Sequence, residues 1–431
     1  MEMKTIKIKT NCGDLLGISE DGVRCFLGIP YAKAKRFELP KEMIHWEGEY
    51  NATDFGTACV QRRTFAPEAD DSFYYNEFRK GLSFNYSEDC QFLNIWTPQN
   101  ADNCPVILYI HGGAFQSGAG NELPFDGTHF AKKGIIFATC NYRLGPLGFA
   151  SIDDEDGKRA NFGLYDQLTA LKWLSHNIVS FGGDPDNITL MGQSAGAMSI
   201  QQLVCSPLAK SYISKAIMTS GGGLGREFAK AQPIEKVAPF WESVSDAFSQ
   251  EGKDWCTVPC QELFDMVNEL LPKDKTAIDF LSPCIDRKLV PYSSDELMTT
   301  FAETDIPYLL GTTKDDMLSD TLLEMASSWR KRRNQMVSNS AYQFYLARNL
   351  PGDEAGTWHS SDLWYTIGNL EKCWRPFTEW DYHISNVLQK YIIQFVTTGN
   401  PNSPELPKWG SDDEKILIID DYTIAYTTLE R

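Results

Sequence analysis

The chain has no long apolar run. In its 431 residues no stretch reaches the roughly 18 consecutive apolar side chains that a membrane-spanning helix needs. The first ten residues alternate charged and apolar side chains, which is unlike the apolar centre of a secretory leader. We therefore expect no membrane association and a cytoplasmic location.

The chain also lacks an excess of positive charge. Lysine and arginine number 40 against 58 aspartates and glutamates, which gives a formal net charge of −18. Nucleic acids are bound by clustered Lys and Arg side chains, so this balance argues against a nucleic-acid partner. The negative charge favours solubility without identifying a ligand, and the sequence leaves the oligomeric state open.

Clustered metal ligands are missing as well. The 11 cysteines are odd in number and never take the C-x-x-C spacing of a zinc or redox site. Cys256 and Cys260 are the nearest pair, and no histidine lies close to them in the sequence. We expect no metal site, and scattered cysteines of this kind are typical of free thiols in a reducing compartment.

What the chain does have is an alternation of buried strands and amphipathic helices. Apolar runs typical of strands covered on both faces are followed by segments with apolar residues at helical spacing. The predicted strands cover residues 106–110, 135–140, 187–191, 215–219, 306–311, 416–419 and 422–426, and the predicted helices cover 165–181, 195–204 and 380–397.

This order predicts an α/β fold with a mostly parallel central sheet flanked by helices. The first 50 or so residues alternate like a meander of short strands. We expect one domain over residues 1–431, with a helical insertion over the core at 226–300.

The most informative motif is Gly192-Gln193-Ser194-Ala195-Gly196, which lies between a predicted strand and a predicted helix. In that context a G-x-S-x-G sequence places the serine on a sharp turn, with its hydroxyl open to a substrate carbonyl. A chain of this length yields the pattern by chance with a probability on the order of 0.1. The alternative is a glycine-rich turn with a surface serine, and the rest of the chain decides between the two.

Several further segments, in order along the chain, resemble the type-B carboxylesterase family, which includes bacterial para-nitrobenzyl-type esterases and the cholinesterases. These segments cover residues 26–32, 87–90, 93–96, 109–115, 141–143 and 161–196. The resemblance implies the α/β-hydrolase fold. It also implies hydrolysis of carboxylic esters by an activated serine, with no metal or organic cofactor.

A serine nucleophile needs a base, and in this fold the base follows the acid along the chain. Of the six histidines, His359 and His383 come late enough. His383 lies on the predicted helix 380–397, where a structural role is favoured. The segment around His359 is similar to the catalytic-histidine loop of the family, so we predict His359 as the base.

The resemblance also places the acid that orients the base. The family has a Gly-x-x-x-Asp-Glu-Gly pattern just past a strand, and residues 311–317 match it with the acid at Asp316. Two residues depart from the pattern, because Asp replaces Glu and Met317 replaces Gly. The shorter side chain requires this loop to approach His359 more closely. Asp315 is the alternative, or both carboxylates are surface charges on a turn.

The oxyanion formed by nucleophilic attack must be met by preorganised N–H donors. The resemblance assigns these donors to the backbone of Gly112, Gly113 and Ala195. His111 precedes the two glycines and is predicted to be a positioning residue rather than the base. Ser220 lies where relatives have a serine that supports the catalytic loop.

Two further pairs match family positions. Arg36 and Glu88 resemble a buried ion pair of the family. Cys59 and Cys90 match the positions of a disulfide in secreted relatives, but in a cytoplasmic protein we expect them to be free thiols.

Only 43 positions separate Asp316 from His359, fewer than is usual in the family. This difference implies a shortened helical cap and a more open cleft. The sequence thus predicts a serine hydrolase of small or medium neutral esters. A non-catalytic binding module on the same fold and a lipase, which would need an apolar lid, are the alternatives.

Overall fold

The computed structural model describes residues 4–69, 71–155, 157–225, 231–336, 341–410 and 412–429. The strands are β1 (Lys4–Thr10), β2 (Gly13–Glu20), β3 (Val23–Pro30), β4 (Ala32–Lys33), β5 (Lys41–Glu42), β6 (Glu49–Asn51), β7 (Ala58–Cys59), β8 (Tyr86–Ser87), β9 (Phe92–Pro98), β10 (Cys104–Ile110), β11 (Ile136–Cys140), β12 (Ile152–Asp154), β13 (Gly157–Arg159), β14 (Gly183–Gln193), β15 (Lys215–Thr219), β16 (Tyr308–Thr313), β17 (Ala341–Leu346), β18 (Ile416–Ile419) and β19 (Ile424–Thr427).

The helices are α1 (Phe73–Phe78), α2 (Thr128–Lys132), α3 (Gly145–Phe149), α4 (Phe162–Asn177), α5 (Ala195–Cys205), α6 (Ile234–Gln250), α7 (Cys260–Leu270), α8 (Ser294–Thr299), α9 (Ser319–Asn334), α10 (Asp362–Ile367) and α11 (Glu379–Thr398). Among the described residues, no helix is both long enough and apolar enough to cross a membrane.

One sheet organises the described chain. Its 13 strands follow the order β1-β2-β3-β9-β11-β10-β14-β15-β16-β17-β18-β19, with β6 beside β2. The strands from β11 to β18 pair in parallel. The N-terminal meander and the final hairpin add antiparallel strands at the two flanks. The predicted parallel sheet is therefore confirmed for the centre, and the sheet as a whole is mixed.

The central strands are apolar throughout because helices cover both faces of the sheet. Successive residues of β10 show this, since Leu108 packs into one core cluster and Tyr109 into the other. Leu171 of α4 belongs to the first cluster and Leu388 of α11 to the second. The two helices therefore lie on opposite faces of the sheet.

The structure also differs from the sequence prediction in places. Helix α4 begins at Phe162, three residues before the predicted start, and a 3₁₀ turn follows it from Ile178 to Phe181. Strand β17 and helix α9 were not predicted. The predicted insertion at 226–300 contains α6, α7 and α8, and its first five residues, 226–230, lie outside the described residues.

This sheet determines where a site can form. Strands β10, β14, β15 and β16 are parallel neighbours, so their carboxyl ends meet at one edge. In open parallel sheets this edge is where ligands bind. Gly112, Ser194, Ser220 and Asp316 each follow one of these four strands by one to three residues.

Candidate active site

Ser194 stands on a strained turn between β14 and α5. Its backbone has φ 56° and ψ −126°, a conformation that costs a non-glycine residue roughly 1–3 kcal/mol. The turn is held by the Ser194 N–H, which donates to the Thr219 carbonyl over 2.9 Å. A Cβ at Gly196 would come within 2.0 Å of the Ile110 oxygen, so only glycine lets the helix approach β10 this closely. The motif is therefore a strand–turn–helix elbow that presents the hydroxyl.

His359 meets that hydroxyl from the loop between β17 and α10. Its Nε2 lies 2.9 Å from Ser194 Oγ, the distance of a hydrogen bond in which the serine donates. The loop is fixed from outside by α1, where the Tyr74 hydroxyl donates to the His359 carbonyl over 3.3 Å. Trp358 adds aromatic contacts with Phe73 and Phe78 of the same helix.

Asp316 completes the chain of contacts. His359 Nδ1 lies 2.5 Å from Asp316 Oδ1, and the carboxylate side chain is fully buried. Ser220 Oγ and Thr313 Oγ1 donate to the second oxygen over 2.6 and 2.9 Å. Burial alone would raise the pKa of Asp316, but the His359, Ser220 and Thr313 contacts outweigh it and hold that pKa below its usual value. The carboxylate therefore stays ionised beside the imidazole.

Asp315 makes a different set of contacts. Its Oδ2 accepts the Thr357 N–H over 2.8 Å, and its own N–H donates to the Thr357 carbonyl over 3.1 Å. An isolated parallel bridge pairs Asp315 with Trp358. These contacts pull the acid loop against the histidine loop, which lets the short side chain of Asp316 reach His359.

The glycine loop, residues 111–113 directly after β10, lies opposite the nucleophile. A Cβ placed on Gly112 would fall 3.1 Å from the Cβ of Ser194, so the two backbones are in close contact. Gly113 has φ +109° and accepts the N–H groups of Gln116 and Ser117 on its carbonyl. Ala195 is the first residue of α5, where a backbone N–H has no partner within its helix. Gly112 and Ala195 therefore border the serine, and Gly113 is the residue next to Gly112.

The His111 side chain contacts the backbone of this glycine loop. Its Nδ1 lies 2.8 Å from the Gly112 carbonyl, and its ring stacks on Tyr142 at 4.4 Å. Because C=O and N–H point in opposite directions in a peptide, fixing the Gly112 oxygen also fixes the Gly113 N–H. Burial lowers the pKa of His111 to about 4, so the ring is neutral at neutral pH.

Three other predicted features lie away from these contacts. His383 is exposed on α11 and stacks on Trp380. Arg36 pairs with Glu88 at 2.6 Å, but the Glu88 side chain is 37% exposed, so only the arginine half of the expected buried pair is buried. The two cysteines at the family's disulfide positions, Cys59 and Cys90, are buried free thiols.

Two buried polar residues beside the base were not singled out from the sequence. Gln193, inside the G-x-S-x-G motif, has its Nε2 3.2 Å from His359 Nε2. Asp362 begins α10 three residues after His359, and both of its carboxylate oxygens are buried. Burial raises the pKa of Asp362 to about 6. Their short sequence distance from Ser194 and His359 was the available indication.

No group of three or more His, Cys, Asp or Glu side chains in the described residues is arranged to hold a metal ion. The described chemistry is that of a hydroxyl, an imidazole and a carboxylate in series, next to backbone N–H groups. That series activates a serine for attack on an acyl carbon.

Comparison with known proteins identifies the family. The profile described as "Carboxylesterase family" matches residues 4–350. The chain belongs to the carboxylesterase family. It is a carboxylesterase with the α/β-hydrolase fold, a serine ester hydrolase, as the sequence predicted.

Relatives match two thirds or more of the carboxylesterase chain. Para-nitrobenzyl esterase of Bacillus subtilis (strain 168) is 32% identical in an alignment of 476 positions, gaps included, which spans 96% of this chain and 94% of that protein. Bile salt-activated lipase of Mus musculus is 36% identical over 311 residues, or 68% of this chain and 48% of that lipase. A solved PNB esterase superposes with a TM-score of 0.85 at 28% identity, covering 97% of both chains.

Proposed function

We propose that this carboxylesterase hydrolyses small or medium neutral esters through an acyl-enzyme, with Ser194 as nucleophile, His359 as base and Asp316 as orienting acid. The observation that supports these roles is the series Ser194 Oγ, His359 Nε2, His359 Nδ1 and Asp316 Oδ1, joined at 2.9 and 2.5 Å. Each distance suits a hydrogen bond, and the pKa of Asp316 is held below its usual value, so its carboxylate is ionised as the reaction needs.

In the first half-reaction, Ser194 Oγ bonds to the ester carbonyl carbon while His359 Nε2 takes the hydroxyl proton. The carbonyl oxygen becomes an oxyanion, which accepts hydrogen bonds from the N–H groups of Gly112, Gly113 and Ala195. The C–O bond to the alcohol then breaks, and His359 returns the proton to the leaving oxygen. The products are an alcohol and an acylated Ser194.

In the second half-reaction, water takes the place of the alcohol. His359 removes a proton from the water, which attacks the acyl carbon of the Ser194 ester. The second tetrahedral intermediate collapses, Ser194 Oγ recovers the proton, and the carboxylic acid leaves. Asp316 stays ionised throughout and stabilises the imidazolium that forms in each half.

The proposed substrate size follows from the 43 positions between Asp316 and His359, which leave less chain to build walls around the cleft. The net charge of −18 disfavours anionic esters. The name of the Bacillus relative, para-nitrobenzyl esterase, supports a neutral ester. A series of p-nitrophenyl esters from acetate to palmitate tests this, and we expect the highest kcat/KM at short or medium acyl chains.

A lipase is the second candidate, and one observation favours it. Met317 and Leu318, directly after the acid, are 65% and 47% exposed, so apolar surface borders the site. A lipase would prefer palmitate over butyrate and gain activity above the solubility limit of the ester. Highest activity on dispersed palmitate would replace the proposed substrate class.

Two experiments test the proposed roles. Ser194→Ala should lower kcat on short p-nitrophenyl esters by roughly 10⁴–10⁶-fold with an unchanged circular dichroism spectrum. A fluorophosphonate probe should label the unmodified protein stoichiometrically and leave Ser194→Ala unlabelled. Retained activity in Ser194→Ala, or absence of labelling as in a binding module, would contradict the assignment.

We also propose a cytoplasmic location, supported by the 11 free thiols, which include the buried Cys59 and Cys90. Thiol titration of denatured protein taken rapidly from its native cells should count all eleven cysteines as reduced. Fractionation of the same cells should recover the esterase with cytoplasmic markers. Recovery with an external fraction, or a bonded Cys59–Cys90 pair, would contradict the proposal.

A further inference from the structure

Gln193 is a buried neighbour of the base for which the mechanism above gives no role. It is the last residue of β14 and is only 2% exposed. Its Nε2 lies 3.2 Å from His359 Nε2, the same nitrogen that faces Ser194 Oγ at 2.9 Å. Two side chains therefore approach one nitrogen atom.

The two side chains share that nitrogen as a common acceptor. His359 Nδ1 donates its hydrogen to Asp316, so Nε2 is the acceptor of the neutral ring and has a single lone pair. The Ser194 hydroxyl and the Gln193 amide are both donors to it. The amide oxygen of Gln193 lies on the other side, where a Cβ at Gly112 would come within 3.2 Å of it.

We propose that Gln193 is a positioning residue that donates an amide hydrogen to His359 Nε2 and thereby sets the acid limb of the activity profile. The inference rests on the proposed function, because it needs His359 to be the base. An amide donor stabilises the neutral ring and is repelled by the imidazolium. It should therefore keep the enzyme active at lower pH than an apolar or acidic side chain at the same place.

Other groups that face His359 must be separated from this effect. Asp316 faces Nδ1, and the Tyr74 phenol of α1 contacts the backbone oxygen. Burial raises the pKa of Tyr74 to about 12, so the phenol does not titrate near neutrality. Asp362 at the start of α10 does interact electrostatically with His359. The experiment is therefore done in the natural sequence and again with Asp362→Asn.

The test is kcat/KM for p-nitrophenyl butyrate between pH 5 and 9 in Gln193→Met and Gln193→Glu. Glutamate keeps the shape but places a carboxylate beside the ring, and such a charge shifts a neighbouring titration by about 1–3 pH units. We expect the midpoint of the acid limb to rise by about one unit or more. Activity on the low-pH side then falls at least about tenfold relative to the natural enzyme, while the alkaline plateau stays within about threefold.

Methionine has nearly the volume of glutamine but no donor, so we expect a smaller rise in the same direction. It also serves if Gln193→Glu fails to fold. Gln389→Met is a matched control, because Gln389 is a buried glutamine on α11 that bonds the Ile367 carbonyl. This control should leave the acid limb where it is.

An acid limb that does not move in a folded Gln193→Glu enzyme would overturn the inference. So would an equal loss of activity at every pH, which a merely structural role predicts, or a fall of the midpoint in Gln193→Met. A limb that moves only when Asp362 is present would assign the effect to that carboxyl instead. If Ser194→Ala is inactive and the limb stays fixed, only the role of Gln193 fails. If Ser194→Ala is active, the proposed function itself fails.

Discussion

Ser220 Oγ donates to Asp316 Oδ2 over 2.6 Å, while Asp316 Oδ1 faces His359 Nδ1. One oxygen of the carboxylate thus accepts from the supporting serine, and the other contacts the base. Hydrogen bonds to charged groups contribute about 1.5–3 kcal/mol. We therefore expect Ser220→Ala to lower kcat about tenfold to a hundredfold, with KM changed much less, in steady-state assays on a short ester. Asp316→Asn is the comparison and should lower kcat by about 10⁴-fold, because it reverses the tautomer of the imidazole. A Ser220→Ala enzyme with unchanged kcat would show that Thr313 alone suffices.

The glycine loop opposite Ser194 gives a second prediction. A Cβ at Gly113 would lie 2.0 Å from the Ser117 oxygen at φ +109°, so Gly113→Ala must displace the N–H that faces the oxyanion. We expect kcat to fall by about 10²–10³-fold, the usual effect of losing one oxyanion donor. Gly134→Ala is the matched control, because Gly134 also has a positive φ (+86°) but no atom within 4 Å of the added Cβ. It should lose stability and keep kcat. Equal kcat losses in both variants would contradict the oxyanion role.

Asp362 should make the folded state less stable as the pH rises. Its folded pKa of about 6 is raised by burial above the ordinary value of 3.8, so the folded protein holds the proton more tightly. The stability that this proton contributes is present below the unfolded pKa and is lost as the pH rises through about 6. Asp362→Asn should therefore raise the free energy of unfolding by about 2.5 kcal/mol at pH 8 relative to its effect at pH 4. Urea unfolding at the two pH values measures this, and an effect independent of pH would contradict it.

His111 should act in the opposite direction. Burial lowers its folded pKa to about 4, so only the unfolded chain is protonated between the ordinary value of 6.5 and pH 4. The stability is present above pH 6.5 and is lost as the pH falls toward 4, by about 3 kcal/mol in total. His111→Asn keeps a side-chain donor for the Gly112 carbonyl and should remove this slope from urea unfolding measured at pH 7, 5.5 and 4. A slope that survives the substitution would have to arise elsewhere in the chain.

The elbow and the central strands could be predicted from the sequence because their patterns are local. Strand β14 and helix α5 differ in period on either side of Ser194, and the glycines mark the turn between them. The order of the strands then brought Ser194 and Asp316 to one edge of the sheet. For His359 the sequence supplied chain order and resemblance, whereas its contact distance depends on a loop.

Helix α9 was missed because its buried residues include charged ones. Leu322, Met325, Ala326 and Trp329 recur at helical spacing, but that apolar pattern stops at Trp329. The buried residues after it are Arg330, Arg332 and Arg333, all less than 10% exposed. Their charges are satisfied by distant partners, since Arg332 pairs with Glu303 at 2.6 Å and Arg330 donates to the Asp412 carbonyl at 2.8 Å. Such pairing depends on tertiary structure, and a reading of local periodicity does not detect it.

Strand β17 was missed for a related reason. Gln343 interrupts its apolar run, yet the side chain is fully buried and accepts hydrogen bonds from Ser327 and Arg330 of α9. The buried polar groups of the strand and of the helix thus serve as each other's hydrogen-bond partners. The approach of Gln193 to His359 is of the same kind, because it joins residues that are 166 positions apart.

The pairing of Asp315 with Thr357 and Trp358 has a mechanical consequence. It holds the loop that carries the carboxylate against the loop that carries the imidazole. Ser194 is not part of this contact, because it lies between β14 and α5. On warming, His359 and Asp316 should consequently move away from Ser194 together, in one opening event, while the turn at Ser194 stays folded. On cooling, the same bridge would return the two loops to their places together.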